Sequence, residues 1–205
     1  MDARQRKGEP VEPPLTPTPN RLLFPVLNAL RECLRSQLVN VGNPVCHLPV
    51  IWGEAPLPAQ RCDCDCGSGR NGEGWVRVTR VEQTPRLPGR GSGRRNTGGS
   101  RYWPDVCSGG VRVWDTQIEM GVWRCAPTLD DVTGAPPSDE EYDAHTQLTL
   151  NDLAALARTW ACCTWLQDRE YPHQVETITP SGPSGGCSGV IAAGRVEIEE
   201  CYPCP

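Results

Sequence analysis

Trp114-Asp115-Thr116-Gln117-Ile118-Glu119-Met120-Gly121-Val122-Trp123-Arg124 is the stretch that decides the fold. Taken two residues at a time, Trp114, Ile118, Met120 and Val122 fall on one side, and Asp115, Gln117 and Glu119 on the other. Successive side chains of a β-strand point to opposite faces, so this is a half-buried strand with an apolar underside. Such a face has to be covered, and the chain offers a helix on either side of the strand in sequence.

Upstream, Asn20 is a good N-cap, and Leu23, Leu27, Leu30, Leu34 and Leu38 recur at spacings of three and four to make one apolar stripe. Pro25 is tolerated only within a first turn, which sets the helix start at 21–25 and its end at Val39. Gly42-Asn43-Pro44 stops it, and Val45 to Trp52 reads as a short strand edged by Pro49. Residues 53–73 form a long turn, and Trp75 to Val81 alternates again with Val76 and Val78 on one face. The span 84–110, rich in Gly, Arg, Pro and Ser, is expected to be an exposed, flexible basic loop leading into the central strand at 111–126.

Downstream, Ser138 and Glu141 make a capping-box pattern after Pro136-Pro137. Tyr142, His145, Leu148, Asp152, Ala155, Leu156, Thr159, Trp160 and Cys163 mark an imperfect helical stripe to about Leu166. Val175–Thr179 is a further strand. A last strand alternates Val190, Ala192, Val196 and Ile198 against Arg195, Glu197 and Glu199. The predicted architecture is α+β: a small, mainly antiparallel sheet covered on one face by two helices.

Length suits one domain over 20–205 with a Pro-rich flexible arm at 1–19. Gly and Pro number 21 each, so only part of the chain is expected to order into a core. A net charge of -5 argues against a general nucleic-acid binder. No apolar run approaches about 18 residues, so no membrane span is expected. The basic Met1–Lys7 stretch precedes no apolar segment, so no signal peptide is expected and synthesis is cytoplasmic. The 12 cysteines nonetheless suggest disulfides. Assembly inside a cell followed by release into an oxidising medium reconciles the two.

Cys62-x-Cys64-x-Cys66 spaces its sulfurs along an extended chain rather than around one metal. Disulfides or free thiols are therefore favoured over zinc, for which Cys46 or Cys107 would be the fourth ligand. Cys201-Tyr202-Pro203-Cys204 has no following helix to activate a thiol, so a terminal disulfide is its expected use, and Cys107 and Cys187 are further candidates for bridges. Arg90, Arg94, Arg95 and Arg101 are candidate contacts to an acidic partner or to DNA. His47, His145 and His173 lie far apart, no Gly-x-Ser-x-Gly elbow is present, and no nucleophile has a base at a suggestive spacing. No enzymatic activity and no cofactor are expected. Trp123, on the polar side of the central strand, is either a subunit contact or buried under a local loop.

Glu119-Met120-Gly121-Val122-Trp123-Arg124-Cys125-Ala126-Pro127, the Cys-rich turn before Gly74-Trp75-Val76-Arg77-Val78, and Gly182-Pro183-Ser184-Gly185-Gly186-Cys187-Ser188-Gly189 together resemble neck proteins of long-tailed phages that infect actinobacteria. The element order is also similar to that of the lambda-type tail terminator. The resemblance implies a hexameric ring that caps the tail tube, meets the major tail protein, and joins the head–tail connector or stopper while viral DNA passes through. It implies a virion location after assembly in the host cytoplasm. A connector or stopper of the same neck is the alternative, and a cysteine-stapled or zinc-binding interaction module is the alternative of another class. For such a ring, Asp115, Glu119, Glu197 and Glu199 are expected to line the channel or the subunit seams.

Overall fold

The computed structural model describes residues 20–53, 66–67, 71–85, 111–130, 132–184 and 186–201. The elements are α1 (Asn20–Asn40), β1 (Val50–Trp52), β2 (Glu73–Pro85), β3 (Val111–Cys125), α2 (Asp139–Cys162), α3 (Thr164–Asp168), β4 (His173–Ser184) and β5 (Cys187–Cys201). The fold is α+β, with a five-stranded mixed sheet in the order β1-β2-β3-β5-β4. The longest strands are central, and β3 lies antiparallel between β2 and β5. One correction concerns the first strand: only Val50–Trp52 of the expected Val45–Trp52 is a strand, and it runs parallel to β2.

Alternation in β3 is as the sequence predicts. Ile118, Met120 and Val122 are fully buried in the core, joined by Val76, Val78, Val190, Ala192, Val196 and Ile198 from the neighbouring strands. The five leucines of the α1 stripe pack on them, as do Ala155, Leu156 and Trp160 of α2. Burying each of the Val, Leu, Ile and Met side chains contributes roughly 1.5–3 kcal/mol. Gly194 provides space for the α2 ring, since a Cβ there would come within 2.8 Å of Trp160.

Departures from the expected boundaries have local causes. α1 begins at Asn20 with Pro25 inside it. The proline ring nitrogen has no hydrogen to donate to the carbonyl four residues back, but tertiary burial of the leucine stripe carries the helix through. Ser138 caps α2, its side chain accepting from the Glu141 backbone N–H while the Glu141 carboxylate accepts from the Ser138 N–H. The second helix stops at Cys163, which has extended backbone, and α3 resumes after it. β2 continues through Pro85, so residues 84 and 85 belong to a strand rather than to the loop; 86–110 lie outside the described residues. A bulge between Val78 and Arg80 shifts the β2 register. Val81 thereby returns to the core side, while Arg80 and Glu82 pair with Gln117 and Asp115 on the other.

Two disulfides tie the helical layer and the first turn. Cys33–Cys163 links α1 to the end of α2 across 130 residues, and Cys46–Cys66 closes a loop of separation 20. Cys125 and Cys187 are disulfide-bonded as well, and Cys162 is free and exposed. Cys66 and Cys187 thus form bridges as expected, while Cys46, weighed as a zinc ligand, is a disulfide partner of Cys66. Cys62, Cys64, Cys107 and Cys204 lie outside the described residues. Loop-closure entropy grows with the logarithm of loop length, so the 130-residue link should constrain the unfolded chain by about 1.5 kcal/mol more than the shorter one. Replacing both Cys33 and Cys163 by Ala is expected to lower unfolding free energy by roughly 2–4 kcal/mol in denaturant titration, and replacing Cys46 and Cys66 by measurably less.

Candidate functional site

With both helices on one face, the second face of the sheet is where β2, β3, β5 and β4 present their remaining side chains. It has two zones. Near the start of β2, Trp75 and Trp123 stack with ring centroids 5.4 Å apart and planes 25° apart. Both are buried within the single chain, Trp123 at 3% exposure. Gly121 lies directly beneath Trp75, where any Cβ would meet the indole ring. Of the two roles weighed for Trp123, burial by its own chain is the one found; the ring is not on the surface that a neighbouring copy could meet.

Further along β3 the face is a ladder of charges. Arg77 makes a two-pronged bond to Glu119, Nε to Oε1 at 2.7 Å and Nη2 to Oε2 at 2.9 Å. Arg195 lies between Asp115 and Glu176, at 3.3 and 2.5 Å. Gln117 donates to Glu176, and Arg80 pairs with Glu82. Asp115 and Glu119 are thus each offset by an arginine, and Glu197 is exposed on the same strand face as Arg195. The Glu199 side chain and Arg90, Arg94, Arg95 and Arg101 lie outside the described residues. The Arg80 and Arg195 pairs are substantially exposed and contribute little to stability, whereas the two-pronged Arg77–Glu119 pair is mostly buried and better held; together they make a polar surface with fixed register.

On the helix face a charged cluster interrupts the apolar core. Arg124 and Asp152 are each 1% exposed and meet end to end: Nε to Oδ2 and Nη2 to Oδ1, both at 2.8 Å. Arg124 Nη2 also donates to the Asn43 carbonyl at 2.7 Å, and Nη1 to Asn71 Oδ1 at 2.6 Å, to the Asn71 carbonyl and to the Pro44 carbonyl at 3.5 Å. Asn43 Nδ2 completes the shell by donating to Asp152 Oδ1 and the Leu148 carbonyl. Every guanidinium nitrogen has an acceptor, which is the condition under which a buried ion pair is tolerated. One side chain thereby joins β3, α2, the turn after α1 and the turn before β2. Gly72 leaves room for it, with φ of 72° and no space for a Cβ against the Trp123 carbonyl and Arg124 Cδ. Sequence reasoning assigned Arg124 no role, although it continues the even-numbered apolar face of the strand.

A second contact also escaped the sequence. His145 Nε2 lies 2.5 Å from Ser188 Oγ, bringing α2 onto the start of β5 across 43 positions of sequence. The ring also meets the Cys125 carbonyl, and burial holds its pKa below the ordinary 6.5, with Asp152 and that carbonyl opposing the shift. A histidine whose folded pKa is depressed resists a proton that the unfolded chain accepts. Stability is therefore complete above about pH 6.5 and falls as pH drops through that value towards the folded pKa. Thermal unfolding at about pH 5.5 and about pH 7.5 should show a loss on acidification that His145→Gln reduces.

Among the described residues no group of three or more His, Cys, Asp or Glu could hold a metal ion. No described helix is long and apolar enough to cross a membrane. No protein-family model matches the chain, and no curated protein is significantly similar to it in sequence.

Proposed function

We propose that this chain is a structural subunit of a phage neck: a tail terminator of lambda-type fold whose copies close into a ring, cap the tail tube and join it to the head connector. The observation that carries the reading is that the two edges of the sheet are unlike. β1, at one edge, is three residues long and borders an apolar groove. β4, at the other, is twelve residues long, mostly exposed and polar, and interrupted by Pro180, Pro183 and two register shifts. A closed ring needs head-to-tail contacts between different patches, and a subunit with chemically distinct sides meets that requirement. Among the described residues, helices on one face and paired charges on the other leave the edges and the ladder available to sister copies, the tube protein and the connector. The argininyl pairing of Asp115 and Glu119 moderates the charge that a passing DNA backbone would meet. In this role the protein works by shape and assembly, without a catalytic step or cofactor.

Native mass spectrometry of the purified chain tests the ring. The expected result is a closed assembly of about six copies with no open-ended series. A monomer at all concentrations contradicts it. A second reading, a cysteine-stapled interaction module, is favoured by the Cys33–Cys163 and Cys46–Cys66 bridges, and predicts that monomer.

A further inference from the structure

Between α1 and the edge strand β1 runs a groove of about 590 Å³ lined by Leu23, Phe24, Leu27, Val50, Ile51 and Trp52. Leu23 and Leu27 are buried and form its floor, whereas Phe24 is 54% exposed and Trp52 71% exposed on its walls. Among the described residues, no lining residue is charged or carries a side-chain hydrogen-bonding group other than the Trp52 indole. Its size falls in the range of ligand-binding clefts. Two large aromatic rings left open on one uncharged groove mark a surface built to be covered. Aromatic-lined grooves of this kind suit the polyproline II conformation, whose rings and backbone are ordered before binding and lose little entropy on docking.

The chain carries such a segment immediately before α1 in sequence. Pro10-Val11-Glu12-Pro13-Pro14-Leu15-Thr16-Pro17-Thr18-Pro19 contains two successive Pro-x-x-Pro patterns and has no charge after Glu12. With three residues per turn, Val11, Pro14 and Pro17 would share one edge. We propose that the Pro10–Pro19 segment of one copy docks in the Phe24–Trp52 groove of a second copy, as an arm exchanged between neighbouring subunits. Exchange is favoured over self-docking by the residues that enter α1. Thr16 and Thr18 each precede a proline, a position at which helical backbone is disfavoured, and a proline ring restricts φ wherever it occurs. A reversal onto the same copy's α1 would have to be made within this stiff stretch. Extended, ten residues span roughly 30 Å, enough to reach a neighbour. The inference rests on the self-association proposed above, but not on the neck assignment.

The test uses the full chain with Leu15 replaced by a photoreactive benzoylphenylalanine, prepared in isotopically heavy and light forms, mixed and irradiated. Heavy–light crosslinks mapping to 23–27 or 50–52 are expected, with a yield that falls about tenfold in Trp52→Ala. Crosslinks confined within one copy, crosslinks elsewhere, no crosslinks, or a yield indifferent to Trp52→Ala would each overturn the inference. Native mass spectrometry of the same samples separates the two proposals. A ring without these crosslinks sinks arm exchange alone, and heavy–light crosslinks in assemblies that never close sink the ring alone. Circular dichroism should show Trp52→Ala folded, since the ring is largely solvent-exposed.

Discussion

Asp152→Ala is expected to lower the unfolding free energy by about 3–5 kcal/mol, because it leaves the Arg124 guanidinium buried with its principal counter-charge removed. The remaining acceptors, carbonyls of Asn43, Asn71 and Pro44 and the Asn71 amide oxygen, satisfy hydrogen bonds but not charge. Against a typical total of roughly 5–15 kcal/mol, such a loss removes a large fraction of the stability. Arg124→Met combined with Asp152→Ala should be less damaging than Asp152→Ala alone, because an apolar side chain needs no counter-charge. Denaturant titration of the three variants decides the matter. A single-variant loss below about 1 kcal/mol would mean that the pair is not a buried clamp.

Trp75→Ala is the second large effect, expected to cost about 3–5 kcal/mol. The ring is fully buried, stacked on Trp123 and seated over Gly121. Its indole N–H and that of Trp123 have no hydrogen-bond partner among the described residues, so truncation strands no acceptor and the loss is one of packing. The stack itself accounts for roughly 0.5–1.5 kcal/mol of this. Near-UV circular dichroism should lose the signal of the coupled rings alongside the drop in denaturation midpoint. Trp52→Ala, at the exposed groove, is the control and should stay within about 0.5 kcal/mol of the parent chain. Equal losses at positions 75 and 52 would show that the second sheet face is not packed as described.

Much of the fold was legible because its signals are local. The period-two pattern of β3, the leucine stripe of α1 and the Ser138–Glu141 capping box each lie within one element, and each lands where the sequence puts it. The clamp was half legible. Asp152 sat on an apolar helical stripe and Arg124 on the apolar face of a strand, two misplaced charges whose natural explanation is each other. Nothing in the linear sequence gave their distance, because it is set by how α2 crosses the sheet. For the same reason Cys33 and Cys163, 130 residues apart, could not be paired by spacing, and His145 could not be matched with Ser188. Trp123 was ambiguous because alternation identifies a face but not what covers it. The bulge after Val78 reverses alternation partway along β2, so the outward positions of Arg80 and Glu82 follow from register rather than from parity.

We propose that this chain is a ring-forming component of a virion neck. Its most direct test is cryo-electron microscopy of tailed particles assembled with an affinity-tagged copy of the chain. A closed ring of labelled density at the junction of head connector and tail tube is expected. Tailed particles that are complete and infectious while containing no copy of the chain would contradict it.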